Sequence, residues 1–174
     1  MKGLNREKVE LHPYSTEWAE EFKKEKKFLE GVLKGVAIDI QHVGSTSIPG
    51  LSAKPILDVA VAVKDKEGLY TVMPLLSDAG YDVREKIDEF GEVLAIRGTP
   101  ECQTHYIHVE ILGSEFWTNH ILFRDYLLKH PEYIKMYEDM KKESYAKFKD
   151  CRKEYTASKN DFIQNVLRLA KDEQ

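Results

Sequence analysis

The chain has 174 residues, 42% hydrophobic and 32% charged, an ordinary balance for one soluble globular domain whose core needs no covalent staples. Its net charge of −4 speaks against a bulk nucleic-acid binder, which presents a basic face. Cys102 and Cys151 have no disulfide or zinc spacing, and there is no apolar signal segment and no apolar run of about 18 residues, so a cytoplasmic protein without a membrane partner is expected.

Lys8 to Leu11 reads as a short edge strand or plain extended chain. Ser15 is placed to cap a helix from Thr16 to Leu33, with Trp18, Phe22, Leu29 and Leu33 at helical spacing and Lys23 to Lys27 on the solvated face. Val36 to Val43 has the β-branching of a strand and ends at Gly44-Ser45. Pro49-Gly50 marks a tight turn, and Pro55 restarts the chain in an extended form. Ile56 to Val63 is nearly all apolar, as in a strand covered on both faces. Asp58 near its start is costly unless a cation, a metal or strong donors meet it.

Lys64 to Gly68 is turn-like, and Leu69 to Ala79 is helical, with Pro74 implying a kink or a late start. Tyr81 to Lys86, Gly91 to Arg97 and Thr104 to Leu112 read as three strands with short turns between them, hence antiparallel neighbours. The last puts Ile107, Val109 and Ile111 on one face and Tyr106, His108 and Glu110 on the other. Ser114 caps a helix to about Lys129, Pro131 starts a second to about Lys149, and a third covers about Glu154 to Lys171. Strands first and helices later give an α+β class: a sheet-bearing part over about 1–113 and a helical part over about 114–174 of a single domain.

A Gly-Ser turn at a strand end presents N–H groups and a hydroxyl to a phosphate, although a plain turn is the commoner use. Gly44 and Ser45 are such a pair, and Lys54 adds a cation. The glycine spacing fits neither a P-loop nor a dinucleotide fingerprint. His42 and His105 read as satisfied structural histidines. Arg97 sits at a strand end, either near a phosphate or on the surface. Arg124 is either a triphosphate ligand or an ion pair tying its helix to the sheet, with Asp125 structural. Tyr155 and Lys159 share a helix face, while Lys141-Lys142-Glu143 reads as a charged helix surface.

An acid in an apolar strand about a dozen residues after a Gly-Ser turn is the layout of the nucleotidyltransferase superfamily. HVGSTSIPGLSAKPILDV resembles the signature of the GrpB-like family within it, and THYIHVEILGSEFWTNHILFRDYLLKHPE and YTASKNDFI agree. The resemblance implies a nucleotidyltransferase-like mixed or antiparallel sheet with packed helices and a C-terminal helical subdomain. It also implies transfer of a nucleotidyl group from a nucleoside triphosphate to a small acceptor with a divalent metal, Mg²⁺ or Mn²⁺.

Catalytic superfamily members carry acids at i and i+2, which share a strand face. Here Asp58 is followed at i+2 by Ala60. Glu110 and His108 are the candidates to complete an Asp58 metal site, with a hydrogen-bonded carboxylate–histidine pair as the equal alternative. On this reading Asp58, Glu110 and Arg124 are catalytic, Asp58, Glu110 and His108 hold metal, and Gly44, Ser45, Lys54 and Lys159 hold the nucleotide. Ala60 favours the rival, a non-catalytic nucleotide- or phosphometabolite-binding module, coenzyme A-related by analogy. A metal-dependent hydrolase using His108 and Glu110 is a third possibility. The expected partner is a small molecule or nucleotide.

Overall fold

The β-branched and alternating stretches build the sheet. The computed structural model describes residues 2–84 and 91–173. Its strands are β1 (Asp39–Val43), β2 (Leu57–Val63), β3 (Asp82–Val83), β4 (Val93–Thr99) and β5 (Cys102–Ile111). They lie side by side in the order β1-β2-β5-β4-β3. β2 and β5 are parallel and the other neighbours antiparallel, so the sheet is mixed and the class α+β. Every residue of β2 except Asp58 is buried, which fits a central strand covered on both faces.

Two helical layers provide that cover. On one face, helices α1 (Glu17–Val32) and α2 (Lys66–Asp78) pack Trp18, Leu29, Leu69, Val72 and Leu76 against Val59, Val61, Ile107 and Val109. Burying each such aliphatic side chain stabilises the fold by about 1.5–3 kcal/mol. The other face carries α3 (Glu115–Lys129), α4 (Pro131–Phe148), α5 (Arg152–Ala157) and α6 (Asn160–Asp172). There Trp117 and Ile121 of α3 sit on Val43, Ala60 and Ala62. Ile48 and Leu51, from the loop between β1 and β2, pack on Leu127 and Tyr137. The helical half therefore clamps the loop that follows Gly44.

Several boundaries differ from the sequence reading, each for a local reason. Lys8 to Leu11 forms no strand: this extended stretch is tacked by isolated bridges, Leu4 to Gln103 and His12 to Ala53. Ser15 Oγ accepts from the N–H of Glu17, where α1 begins. β1 starts at Asp39 rather than Val36, because Val36 and Ala37 turn back to bond the carbonyl of Leu33. α2 starts early rather than late: Asp65 accepts from the Gly68 N–H and caps a helix that contains Pro74. The third C-terminal helix is two, α5 and α6, broken where Ser158 Oγ bonds the carbonyl of Tyr155. The strand expected over Tyr81 to Lys86 is seen as Asp82–Val83, and positions 85 and 86 lie outside the described residues. Cys102 and Cys151 are both free and exposed. Among the described residues no helix is long and apolar enough to cross a membrane.

Candidate functional site

Antiparallel pairing places Val43, the last residue of β1, opposite Asp58 of β2. The chain leaves β1 through Gly44 at φ +67°, then makes a single 3-10 turn over Ser45–Ser47. A Cβ on Gly44 would lie 2.5 Å from Asp58 Oδ2, so glycine allows this turn to rest directly against the carboxylate. His42 Nε2 meets Thr46 Oγ1 at 2.9 Å, and its ring stacks on Phe22. Burial pushes its pKa down to about 4, so His42 is the satisfied, neutral histidine that its position suggested.

Two connected compartments flank Asp58. The smaller, of about 140 Å³, is lined by Ser45, Lys54, Asp58, Tyr106, Lys141 and Lys159 among others. Three lysines thus converge beside one carboxylate. Burial, reinforced by Lys159 and Arg152, pushes the Lys54 ammonium down to about 7. Burial, with Lys159 next, does the same to Lys141, also to about 7. The Lys159 pKa is likewise lowered, chiefly by burial. Burial is the main cause in each case, and cations shielded together in so small a space are relieved by a polyanion. Lys141 also donates to the carbonyl of Ser52, whose N–H and hydroxyl bond Glu138 at 2.8 and 2.7 Å. The larger compartment, about 440 Å³, shares Ser45, Asp58 and Lys159 and adds Gly44, His108 and residues of α3 and α6.

Asp58 keeps 32% of its side-chain surface open. Burial raises its pKa, but the hydrogen bond and charge of His108, with Lys54 behind them, outweigh this and hold it below the usual carboxylate range. His108 is gripped from both sides, with Nε2 3.5 Å from Asp58 Oδ1 and Nδ1 on Glu92. Burial works against its proton, yet the two carboxylates prevail and push its pKa up to about 10. His108 is therefore an imidazolium, with both nitrogens engaged.

These facts test the expected metal set. Parallel register puts Asp58 opposite Tyr106 and Ala62 opposite Glu110, so Glu110 lies four residues up the sheet, about 13 Å along the strands. Glu110 is fully buried, and its near partner is His120 Nδ1, 2.9 Å away, rather than Asp58. The acid on His108 is Glu92, which spacing alone did not indicate. Among the described residues no three of His, Cys, Asp and Glu are placed to hold one metal ion. Asp58, His108 and Glu110 do not fit a protein-built metal centre. Ala60 shows why a second acid is missing: it is fully buried in the cluster with Trp117, and a carboxylate would displace that ring.

Other expected residues also find their places. Lys54, Lys159, Ser45 and Asp58 come together. Arg124 lines neither compartment: it bonds Asp125 at 2.7 Å, Gln41 at 2.8 Å and the His42 carbonyl at 3.0 Å, and so ties α3 to β1. Arg97 points to the opposite face, onto Glu25. Glu25 lies in the stretch read as solvated, yet it is 3% exposed and accepts from Tyr81 as well. Its phase with Trp18, Phe22 and Leu29 on α1 was the signal. Lys141, read as helix surface, is 2% exposed and falls in phase with the buried Tyr137 and Ser144.

The sequence matches the profile of the family described as GrpB protein over residues 8–169, and the chain belongs to that family. It is 35% identical over 173 residues to the glutamate-rich protein GrpB of Alkalihalophilus pseudofirmus, covering 96% of this chain and 98% of that one. It is 34% identical over 164 residues to the UPF0157 protein YqkA of Bacillus subtilis, covering 94% of this chain and 48% of that longer protein. The crystal structure of the conserved protein GrpB from Enterococcus faecalis superposes with a TM-score of 0.86 at 27% identity, covering 94% of this chain and 98% of that one.

Proposed function

We propose that this GrpB-family chain binds a phosphorylated small molecule, with a nucleoside triphosphate as the leading class. The phosphates are held between the Gly44-Ser45 turn and Lys54, Lys141 and Lys159. The observation that carries this is the convergence of the buried Lys141 and the half-buried Lys54 and Lys159, all with lowered pKa values, on a pocket with one carboxylate. Ammonium groups shielded from water with no carboxylate of their own are costly, and a polyanion offsets that cost through charge-assisted hydrogen bonds.

Metal-dependent nucleotidyl transfer is the second reading. The open, ionised carboxylate of Asp58 at the junction of the compartments favours it. A divalent metal there would rest on Asp58 and on the phosphates of the ligand itself, a common arrangement for Mg²⁺, and would polarise a phosphoryl oxygen. In this reading Lys159 and Lys54 steady the phosphate charge.

Thermal shift of the full chain with ATP, GTP, CTP, UTP and inorganic tripolyphosphate, each with and without Mg²⁺ or Mn²⁺, separates the two. The binding reading expects stabilisation without metal that is lost in Lys54→Met and Lys159→Met and is kept or strengthened in Asp58→Asn, which removes a repelling charge. Stabilisation that requires metal and vanishes in Asp58→Asn selects transfer. No response to any phosphate compound sinks both.

A further inference from the structure

Lysines act together on one anion only if the main chain that carries them is held in place. Lys141 and Lys159 belong to the helical half, whereas Lys54 stands on the irregular stretch between β1 and β2. Chain outside a strand ladder has to find its hydrogen bonds elsewhere. Residues 52 and 53 find them on two sides. Ala53 exchanges backbone bonds with His12, its N–H donating at 2.9 Å and its carbonyl accepting at 2.8 Å. Ser52 is gripped by α4 at every polar atom. Its N–H and its hydroxyl donate to the two oxygens of Glu138 at 2.8 and 2.7 Å, and its carbonyl accepts from Lys141. Glu138 and Lys141 lie at i and i+3 of α4 and so share a face.

Glu138 keeps only 15% of its side chain open. Burial works against its charge, yet the hydrogen bonds from Ser52 and Lys142 outweigh it and hold the carboxyl below the usual range. Glu138 lines neither compartment. An ionised carboxylate behind a lysine pocket repels the anion that the lysines attract, so charge is not what it contributes. We propose that Glu138 is a positioning residue: by holding Ser52 at two atoms it fixes the main chain that carries Lys54, and so sets the lysines before a polyphosphate arrives. The inference rests on the phosphate-pocket reading. Two bonds from one carboxylate fix orientation as well as distance. Lys141 completes the clamp from the same helix face, so the lysine of the loop and that of α4 share one frame.

Charge and positioning predict opposite signs for Glu138→Ala. Loss of a negative charge tightens anion binding, and release of Ser52 weakens it. Calorimetric titration of the full chain with each of ATP, GTP, CTP and UTP at pH 8, in two buffers of different ionisation enthalpy, reads affinity and proton uptake together. For the tightest of the four, Glu138→Ala is expected to weaken binding ~10-fold or more, about 1.4 kcal/mol. It should also lower the protons taken up by about one, because Lys54 is no longer set on the phosphates. Glu138→Gln keeps an acceptor for the Ser52 N–H and a donor for its hydroxyl oxygen, and should stay within about threefold of the native affinity. Ser52→Ala removes one bond, leaves every charge in place and should weaken binding about three- to tenfold; it carries the test if Glu138→Ala does not fold. Unchanged or tighter binding in Glu138→Ala, or in Ser52→Ala, overturns the positioning role alone. So does a Glu138→Gln chain as weak as Glu138→Ala, or a weaker Glu138→Ala chain that takes up the native number of protons. Failure of the native chain to bind any of the four overturns the phosphate-pocket reading and this inference with it.

Discussion

Proton uptake on phosphate binding provides the sharpest check on the lysine pocket. Lys54 and Lys141 each sit at about 7 rather than 10.5. At pH 8 a lysine of that pKa is only ~10% protonated, so a bound polyanion that restores its ordinary value draws in ~0.9 proton. The pair therefore takes up about two protons per ligand, and Lys159, lowered in the same sense, can only add to this. Affinity should fall by up to ~100-fold between pH 8 and pH 9. Phosphate esters, with a second pKa near ~6, are already ionised there, so the ligand contributes little. Titrating the chain with a nucleoside triphosphate at pH 8, where its terminal phosphate is already ionised, in two buffers of different ionisation enthalpy, counts the protons directly. Lys54→Met should lower the count by about one. A native count near zero, or a count unmoved by the substitution, would refute the argument that these lysines are the anion site.

Further outcomes follow from the same geometry. Gly44→Ala, with φ +67° and a Cβ 2.5 Å from Asp58 Oδ2, should cost about 1–3 kcal/mol in urea unfolding and abolish tripolyphosphate binding; an unaffected variant would mean the turn does not rest on Asp58. Glu25→Ala strands Arg97 and Tyr81 on the far face and should cost about 3 kcal/mol in guanidinium unfolding while leaving tripolyphosphate affinity intact. The stability of the ligand-free chain should also respond to pH. Between about 7 and 10.5 the unfolded chain holds the protons that Lys54 and Lys141 have lost, so each raises stability with pH; His108, raised from 6.5 to about 10, does the reverse over its own window. The net of one proton predicts a rise of about 1.4 kcal/mol per pH unit from pH 7.5 to 9, and urea midpoints that fall over that interval would contradict it.

Much of this molecule was legible in local pattern. Alternation along β5 correctly divided Ile107 and Val109 from His108 and Glu110, because a strand admits one side-chain period. The buried run of β2 with its single acid marked the centre of the sheet, and the Gly44-Ser45 turn met Asp58 because adjacent strands of opposite direction bring their ends together. Helix ends were less legible, since Asp65 and Ser158 acted through hydrogen bonds that periodicity does not report.

What the sequence determined by itself was the α+β class, the family and the pairing of a glycine turn with an acid; these rest on short-range periodicity and one contiguous motif. The tertiary structure alone decided which charges meet. It took Lys141 from an apparent surface run into the pocket, sent Arg124 to the backbone of β1, moved Arg97 to the opposite face, and set Glu92 rather than Glu110 on His108. A charged side chain is soluble almost anywhere on a helix face, so its local pattern is silent about partners. Only the packing of distant segments fixes where its charge is desolvated, and hence what it can bind.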